Sequence, residues 1–372
     1  MKRRRVLQPV LLLLLLSASA GCLSGIPGFS PPVVYPGIVP VTGATMPDPP
    51  VYSFSFQEGV VHLDIPVEAA VYAGARAADK SARIFDQTIR EEEWRAGIYR
   101  SMIQDPAQDD FYEDLLAKFR EEKDLQGLDQ DQYAELISVF VQSIPYETQN
   151  LSSPRFPVEI YVDGKGDCDD KSLLLAGLLS RENYKTALLY FEPERHMAVG
   201  VGCEGEGYAK SRYAYIETTN VTLIGVVPDE LQGGVRITSS PAVIPIGNGT
   251  LEYRRCRETA ELRNALNETG QILEMRSPEL QEEETALAIM KETLDARKAE
   301  MDAAYARGDY RAYNTGVTSY NILVTEYNRK LTGYRDMVRE FNRLAGIHNH
   351  ILSHQYDRPG TYAWWRNQSP IA

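Results

Sequence analysis

Between Val317 and His348 the residues Val317, Tyr320, Val324, Tyr327, Leu331, Tyr334, Val338, Phe341, Ala345 and His348 recur alternately three and four positions apart. A seam of that length and period is the mark of an α-helix that buries one stripe. Upstream, Leu280, Leu287, Met290, Leu294, Met301 and Ala304 keep a similar but broken spacing, and Arg307-Gly308-Asp309 divides the two runs. The pattern predicts an antiparallel helical hairpin within residues 251–372. Tyrosines and asparagines stand where a free-standing two-stranded coil would carry Leu and Ile. They point to packing against something further, either the rest of the chain or a protein partner.

The residues before the hairpin follow other periods. Tyr52, Phe54 and Phe56 alternate with polar residues, and Val60, Val61, Leu63 and Ile65 follow, so strands are expected there. Helices are expected over 69–103, 110–122 and 129–144. The last has Asp129 as its cap and Tyr133, Leu136, Ile137, Phe140 and Val141 on one face. A further helix begins near Cys168 and carries the apolar run Leu173 to Leu179. Short buried or alternating runs come next, over 186–191, 196–201 and 213–216, and predict an antiparallel meander. The expected fold is α+β: a cysteine-bearing helix packed on an antiparallel sheet within 51–250, then the long hairpin. A chain of 372 residues, 43% hydrophobic and 24% charged, has the composition for two globular units.

The first residues read as an address. Lys2-Arg3-Arg4-Arg5 precedes the apolar run Val6 to Leu16, which is short for a bilayer span, and Ser17-Ala18-Ser19-Ala20-Gly21 leads to Cys22. This stretch resembles a lipoprotein signal, with Ser19 where leucine is most usual. The resemblance implies removal of 1–21, lipidation of Cys22 and an extracytoplasmic chain on the outer face of the cell membrane; plain secretion or a retained signal anchor are the alternatives. Residues 22–50, rich in Pro and Gly, read as a tether. Losing 1–21 removes four positive charges and no negative ones, taking the net charge from −13 to −17. Such acidity argues against nucleic acid as a partner. Of the remaining cysteines, Cys203 and Cys256 are either a disulfide pair or two separate buried thiols.

The segment Gly164-Lys165-Gly166-Asp167-Cys168-Asp169-Asp170-Lys171-Ser172 carries the chemistry. Glycines give way to a helix, so Cys168 falls at a helix N-terminus, where free amides and the helix dipole favour a thiolate. The three aspartates oppose this, because negative charge raises a thiol pKa; a partner imidazolium is needed. His196 is the histidine available mid-chain, since His62 precedes the helices and His348, His350 and His354 lie at the far end. Glu217 closes a strand one step later, where it could orient that imidazole. Cysteine, histidine and carboxylate, in that order, are the parts of an activated sulfur nucleophile.

Over roughly 142–228 these residues resemble transglutaminase-like cysteine proteins, a branch of the papain-like superfamily. Gln142-Ser143-Ile144-Pro145-Tyr146, Pro157-Val158-Glu159, the Gly-Lys-Gly-Asp-Cys-Asp-Asp-Lys-Ser core, His196-Met197-Ala198-Val199 and Tyr215-Ile216-Glu217-Thr218-Thr219 carry the likeness. It implies a papain/transglutaminase-like core in which Cys168 is the nucleophile, His196 the base and Glu217 the orienting carboxylate. Many members have Asp where this chain has Glu217, whose extra methylene changes the reach. The implied activity acts on amide bonds of protein or peptide substrates through a thioester. Hydrolysis is the simpler expectation for a chain without the large accessory domains of animal transglutaminases; transfer to an amine is the other. The alternative is a non-catalytic, membrane-anchored scaffold that binds through its hairpin. Tyr146 either lines the site or only packs. Asp167 and Asp169 either bind calcium, as in some bacterial relatives, or cap the helix. Capping is the plainer reading, and no metal or cofactor is expected.

Overall fold

The structure is a computed structural model that describes residues 32–147, 153–231 and 234–368. Strand β1 (Val33–Val34) opens it and pairs antiparallel with a short strand at 83–84. Residues 32–50, the described part of the expected tether, lie along the domain and are not a free extension. Ile38 is buried and its amide donates to Asp105 Oδ2 (2.7 Å), while the Val41 amide donates to Ala70 O (2.9 Å). Gly74 accepts this strap closely: a Cβ there would stand 2.4 Å from Val39 O. Proline and glycine make such a segment irregular, but its backbone groups still find partners.

Strands β2 (Tyr52–Phe56) and β3 (Gly59–Leu63) form an antiparallel ribbon with Phe54 opposite Val61, and Tyr52, Phe54 and Phe56 face the core. The helix expected over 69–103 is broken. It forms α1 (Ala69–Ala77) and α2 (Glu91–Ile103), separated by a loop holding β4 (Arg83–Ile84). The cause is local: the Asp79 carboxylate takes the Ser81 amide and hydroxyl, and Asp86 takes those of Thr88, so short polar side chains replace helical hydrogen bonds with turns. Helix α3 (Asp109–Gln126) ends on Gly127 with φ +65°, and α4 (Gln130–Ser143) begins on the expected cap, Asp129, in a reciprocal box with Gln132. All five residues expected on one face of α4 are buried.

Helix α5 (Pro157–Asp163) and α6 (Cys168–Arg181) follow. The main sheet is antiparallel, in the order β7 (Tyr213–Ile216), β6 (His196–Gly202), β5 (Thr186–Phe191), β8 (Ala242–Ile246). The sequence did not announce β8, because Pro245 sits within it. Proline is tolerated there since β8 is an edge strand bonded on one side only. Helix α6 packs on β6 and β5, and every residue from Leu173 to Leu179 is buried.

The hairpin is present as expected. Helix α7 (Cys256–Ala306) and α8 (Tyr310–Ser353) flank the turn Arg307-Gly308-Asp309, where Gly308 has φ +73° and Asp309 Oδ1 caps α8 at Ala312 N. At 44 residues α8 is about 66 Å long. Every one of the ten seam residues is half-buried, and Leu287, Leu294 and Ala304 of the facing run are fully buried. The seam therefore faces α7, and the root of the hairpin reaches the domain. There Leu262, Ala265, Ile347 and Ile351 pack on Leu223 and Val226, with Trp364 and Trp365 of α9 (Arg358–Arg366) against them. Arg358, buried, pairs with Glu135 of α4 (2.5 Å) and with Glu258 of α7. Among the described residues no helix is long and apolar enough to cross a membrane. Cys22 and the apolar run before it lie outside them.

Candidate active site

The loop between α5 and α6 is held from several sides before it presents Cys168. Gly164 ends α5 in the left-handed region, with φ +66°. Arg155 is buried and reaches across the loop. Its backbone amide donates to Asp170 Oδ1 (2.7 Å), its guanidinium donates to Asp170 Oδ2 (2.7 and 2.9 Å), and it also meets Asp163 Oδ2 (3.1 Å) and the Lys165 carbonyl (3.1 Å). Asp167 is the N-cap of α6, taking the Asp170 amide (3.1 Å), and Asp170 returns the bond to the Asp167 amide (3.2 Å). Two of the three aspartates near the thiol are thus spent on capping and on Arg155. Among the described residues no cluster of His, Cys, Asp and Glu is arranged to hold a metal ion.

Lys171, one turn into α6, is fully buried and donates to the carbonyls of Ile144 (2.6 Å) and Gln142 (3.1 Å) at the end of α4. Burial pushes its ammonium down to about 7, against the opposing pull of Glu217. Gln142 in turn donates to the carbonyls of Glu217 (2.8 Å) and Thr222 (3.0 Å). The end of α4 thereby fixes both the cysteine helix and the strand end bearing Glu217. Ser172 adds a bond from α6 to the Met197 carbonyl of β6 (3.2 Å).

At the start of β6, His196 is 5% exposed, and Glu217, just past the end of β7, is fully buried. The imidazole Nε2 lies 3.3 Å from Glu217 Oε2. The other carboxylate oxygen, Oε1, accepts from the amides of Thr218 (3.0 Å) and Thr219 (2.9 Å) and from the Thr219 hydroxyl (2.7 Å). Burial opposes ionisation of Glu217, but the bonds from His196, Tyr215 and Thr219 prevail and hold its carboxyl down at about 2. Tyr215, also fully buried, donates its hydroxyl to Glu217 Oε2 and stands 3.2 Å from His196 Nε2. The contacts of the imidazole are made at Nε2, and Nδ1 takes no hydrogen bond from the described residues.

Cys168 is 9% exposed. Burial pushes its thiol well above the ordinary range, the adjacent Asp169 charge adds to this, and the Met197 amide, directed at the sulfur, counteracts part of it. The thiol's hydrogen-bond partner is Asp169 Oδ1 at 3.5 Å, not the imidazole. Asp169 is itself buried enough to have its carboxyl raised, its charge is felt by both Tyr99 and Tyr190, and Arg95 lies over the Tyr190 ring. His196 and Glu217 are thus in direct contact, and Cys168 is next to the same strand through Met197.

Tyr146 is half-buried and bridges Gly166, two residues before the thiol, with the Glu147 amide donating to Gly166 O (3.0 Å). Cys203, just past β6, and Cys256, opening α7, are both free thiols. They face each other closely enough for one thiol to bond the other. Trp364 stacks on His350 with centroids 3.7 Å apart and packs at the hairpin root. One member of the site, Tyr215, was given no role by its sequence position, although the two-residue strand period places it on the same face as Glu217. Asp169 was expected to raise the thiol pKa by its charge, and it does; its direct bond to the sulfur had no signal in the sequence. Comparison with protein-family models, with curated proteins and with solved structures finds no match.

Proposed function

We propose that this chain is a transglutaminase-like thiol enzyme with a papain-like core, acting on amide bonds of protein or peptide substrates. One observation carries the reading: a buried His196–Glu217 pair engages Nε2 and leaves Nδ1 free, on the strand start that adjoins the Cys168 helix terminus. Nδ1 takes the Cys168 proton and the sulfur attacks the amide carbonyl carbon, with first-turn amides of α6 as donors to the oxyanion. The C–N bond then breaks, the leaving amine takes the proton from the imidazolium, and a thioester remains on Cys168. Water attacks it to give a carboxylic acid, or an amine attacks to give a new amide; either way the proton returns to sulfur through His196. The resting thiol is bonded to Asp169, so productive binding displaces that carboxylate from the sulfur. The same reading keeps the lipoprotein signal: Cys22 lipidated, the domain on the outer face of the cell membrane, and hydrolysis ahead of transfer.

A non-catalytic surface scaffold is the second reading, and the occluded, Asp169-bonded thiol favours it. Iodoacetamide separates the two. An enzyme predicts that Cys168 in the folded protein is alkylated near neutral pH faster than Cys203 and Cys256, and that His196→Ala removes the advantage. Equal, slow labelling of all three thiols rejects the enzyme. Glutamine-containing peptides offered with and without an amine acceptor then tell transfer from hydrolysis.

A further inference from the structure

The contact between Tyr215 and the His196–Glu217 pair goes beyond a two-residue base-and-orienter arrangement, because its hydroxyl touches both partners at once. Its proton is committed to Glu217 Oε2, so its oxygen faces His196 Nε2 as an acceptor. Glu217 Oε2 is a second acceptor on the same nitrogen, at 3.3 Å. Two acceptors and no donor converge on Nε2, so that nitrogen must carry a hydrogen whatever the state of Nδ1. Nor can the carboxylate escape this arrangement. Oε1 is filled by the Thr218 and Thr219 amides and the Thr219 hydroxyl, which leaves Oε2 alone to serve the imidazole and the phenol.

The phenol ring is fixed as firmly as its hydroxyl. Tyr215 is fully buried on the sheet face away from α6, beside Leu189, Phe191 and Ala198, and Tyr208 packs on it with ring centroids 5.5 Å apart. From this geometry we infer that Tyr215 is a positioning residue: it holds the neutral His196 ring in the Nε2–H tautomer and turns Nδ1 toward the thiol. This rests on the reading of His196 as the base. It adds that Glu217 does not orient the ring alone. Two acceptors at different angles define the plane of the imidazole, whereas one acceptor leaves it free to pivot about a single bond.

Tyr215→Phe keeps the ring and its packing and removes only the hydroxyl. With 15N-histidine in the full chain, and the His196 signals assigned by their loss in His196→Ala, the wild type is expected to show a single neutral tautomer, Nε2–H. Tyr215→Phe is expected to show a mixture, and the rate of Cys168 alkylation by iodoacetamide is expected to fall by about tenfold, the cost of one hydrogen bond to a group that becomes charged. Tyr208→Phe, which changes a packed neighbour without a bond to the imidazole, is expected to leave both readouts unchanged. An unaltered tautomer in Tyr215→Phe overturns the inference, as does an equal effect of Tyr208→Phe. The thiol reading fails separately: alkylation indifferent to His196→Ala rejects the enzyme, while the tautomer measurement still decides what Tyr215 does.

Discussion

Helix α6 and helix α8 are both continuous helices in one chain, yet they are stabilised in opposite ways. Every residue of α6 from Leu173 to Leu179 is buried, and polar residues of its first turns, Asp170, Lys171 and Ser172, are buried too and each is bonded across to another element. Helix α8 has half-buried residues along one stripe and full burial only at its root, at Leu344, Ile347 and Ile351. The difference shows where a sequence is replaceable. In α6 each side chain answers to a specific partner; along α8 many similar contacts add up, and no single one decides.

Substitutions can break or sharpen that contrast, and the largest effect belongs at the junction. Arg358 is buried between Glu135 and Glu258, so Arg358→Ala strands two carboxylates, one of them buried, and is expected to cost about 3–5 kcal/mol in denaturant unfolding. If the root is what couples the two regions, the variant will also lose the coincidence of the hairpin and domain transitions. Next, Leu175→Ala in α6 is expected to cost about 2–5 kcal/mol, and Leu331→Ala on the α8 seam only about 1 kcal/mol, measured in the same titration. Equal costs would erase the difference between α6 and α8.

The third prediction is a pH dependence that Glu217 brings to the domain. Glu217 titrates near 2 when folded against an ordinary 4.5, so its ionised form stabilises the fold above about pH 4.5. That contribution disappears as pH falls from about 4.5 to about 2, and amounts to about 3 kcal/mol by linkage. Glu217→Gln should flatten the stability profile in this window.

Much of the hairpin could be read from the chain directly. The ten seam residues, the Arg307-Gly308-Asp309 turn and the facing run all lie where the period puts them, because helical periodicity repeats within a few residues and needs no distant partner. The Asp129 cap and the start of α6 at Cys168 were legible for the same reason. Where the structure departs from the periodic pattern, competing interactions are short-range but not periodic: Asp79 and Asp86 break the helix expected over 69–103, and Pro245 hides an edge strand.

The site divides along the same line. Sequence alone put a thiol at a helix start, a histidine at one strand start and a glutamate at the end of another. It could not say that Asp169 turns to the sulfur, that Lys171 ties α6 to α4, or that Tyr215 closes a triangle with His196 and Glu217. Nor could it show Arg358 buried against Glu135, 223 residues away in the chain. Propensity, period and capping are fixed by neighbours within a turn or two, so the sequence determines them by itself. Which buried polar group satisfies which other depends on how separate elements are brought together and on the desolvation each suffers there. Only the tertiary structure decides that.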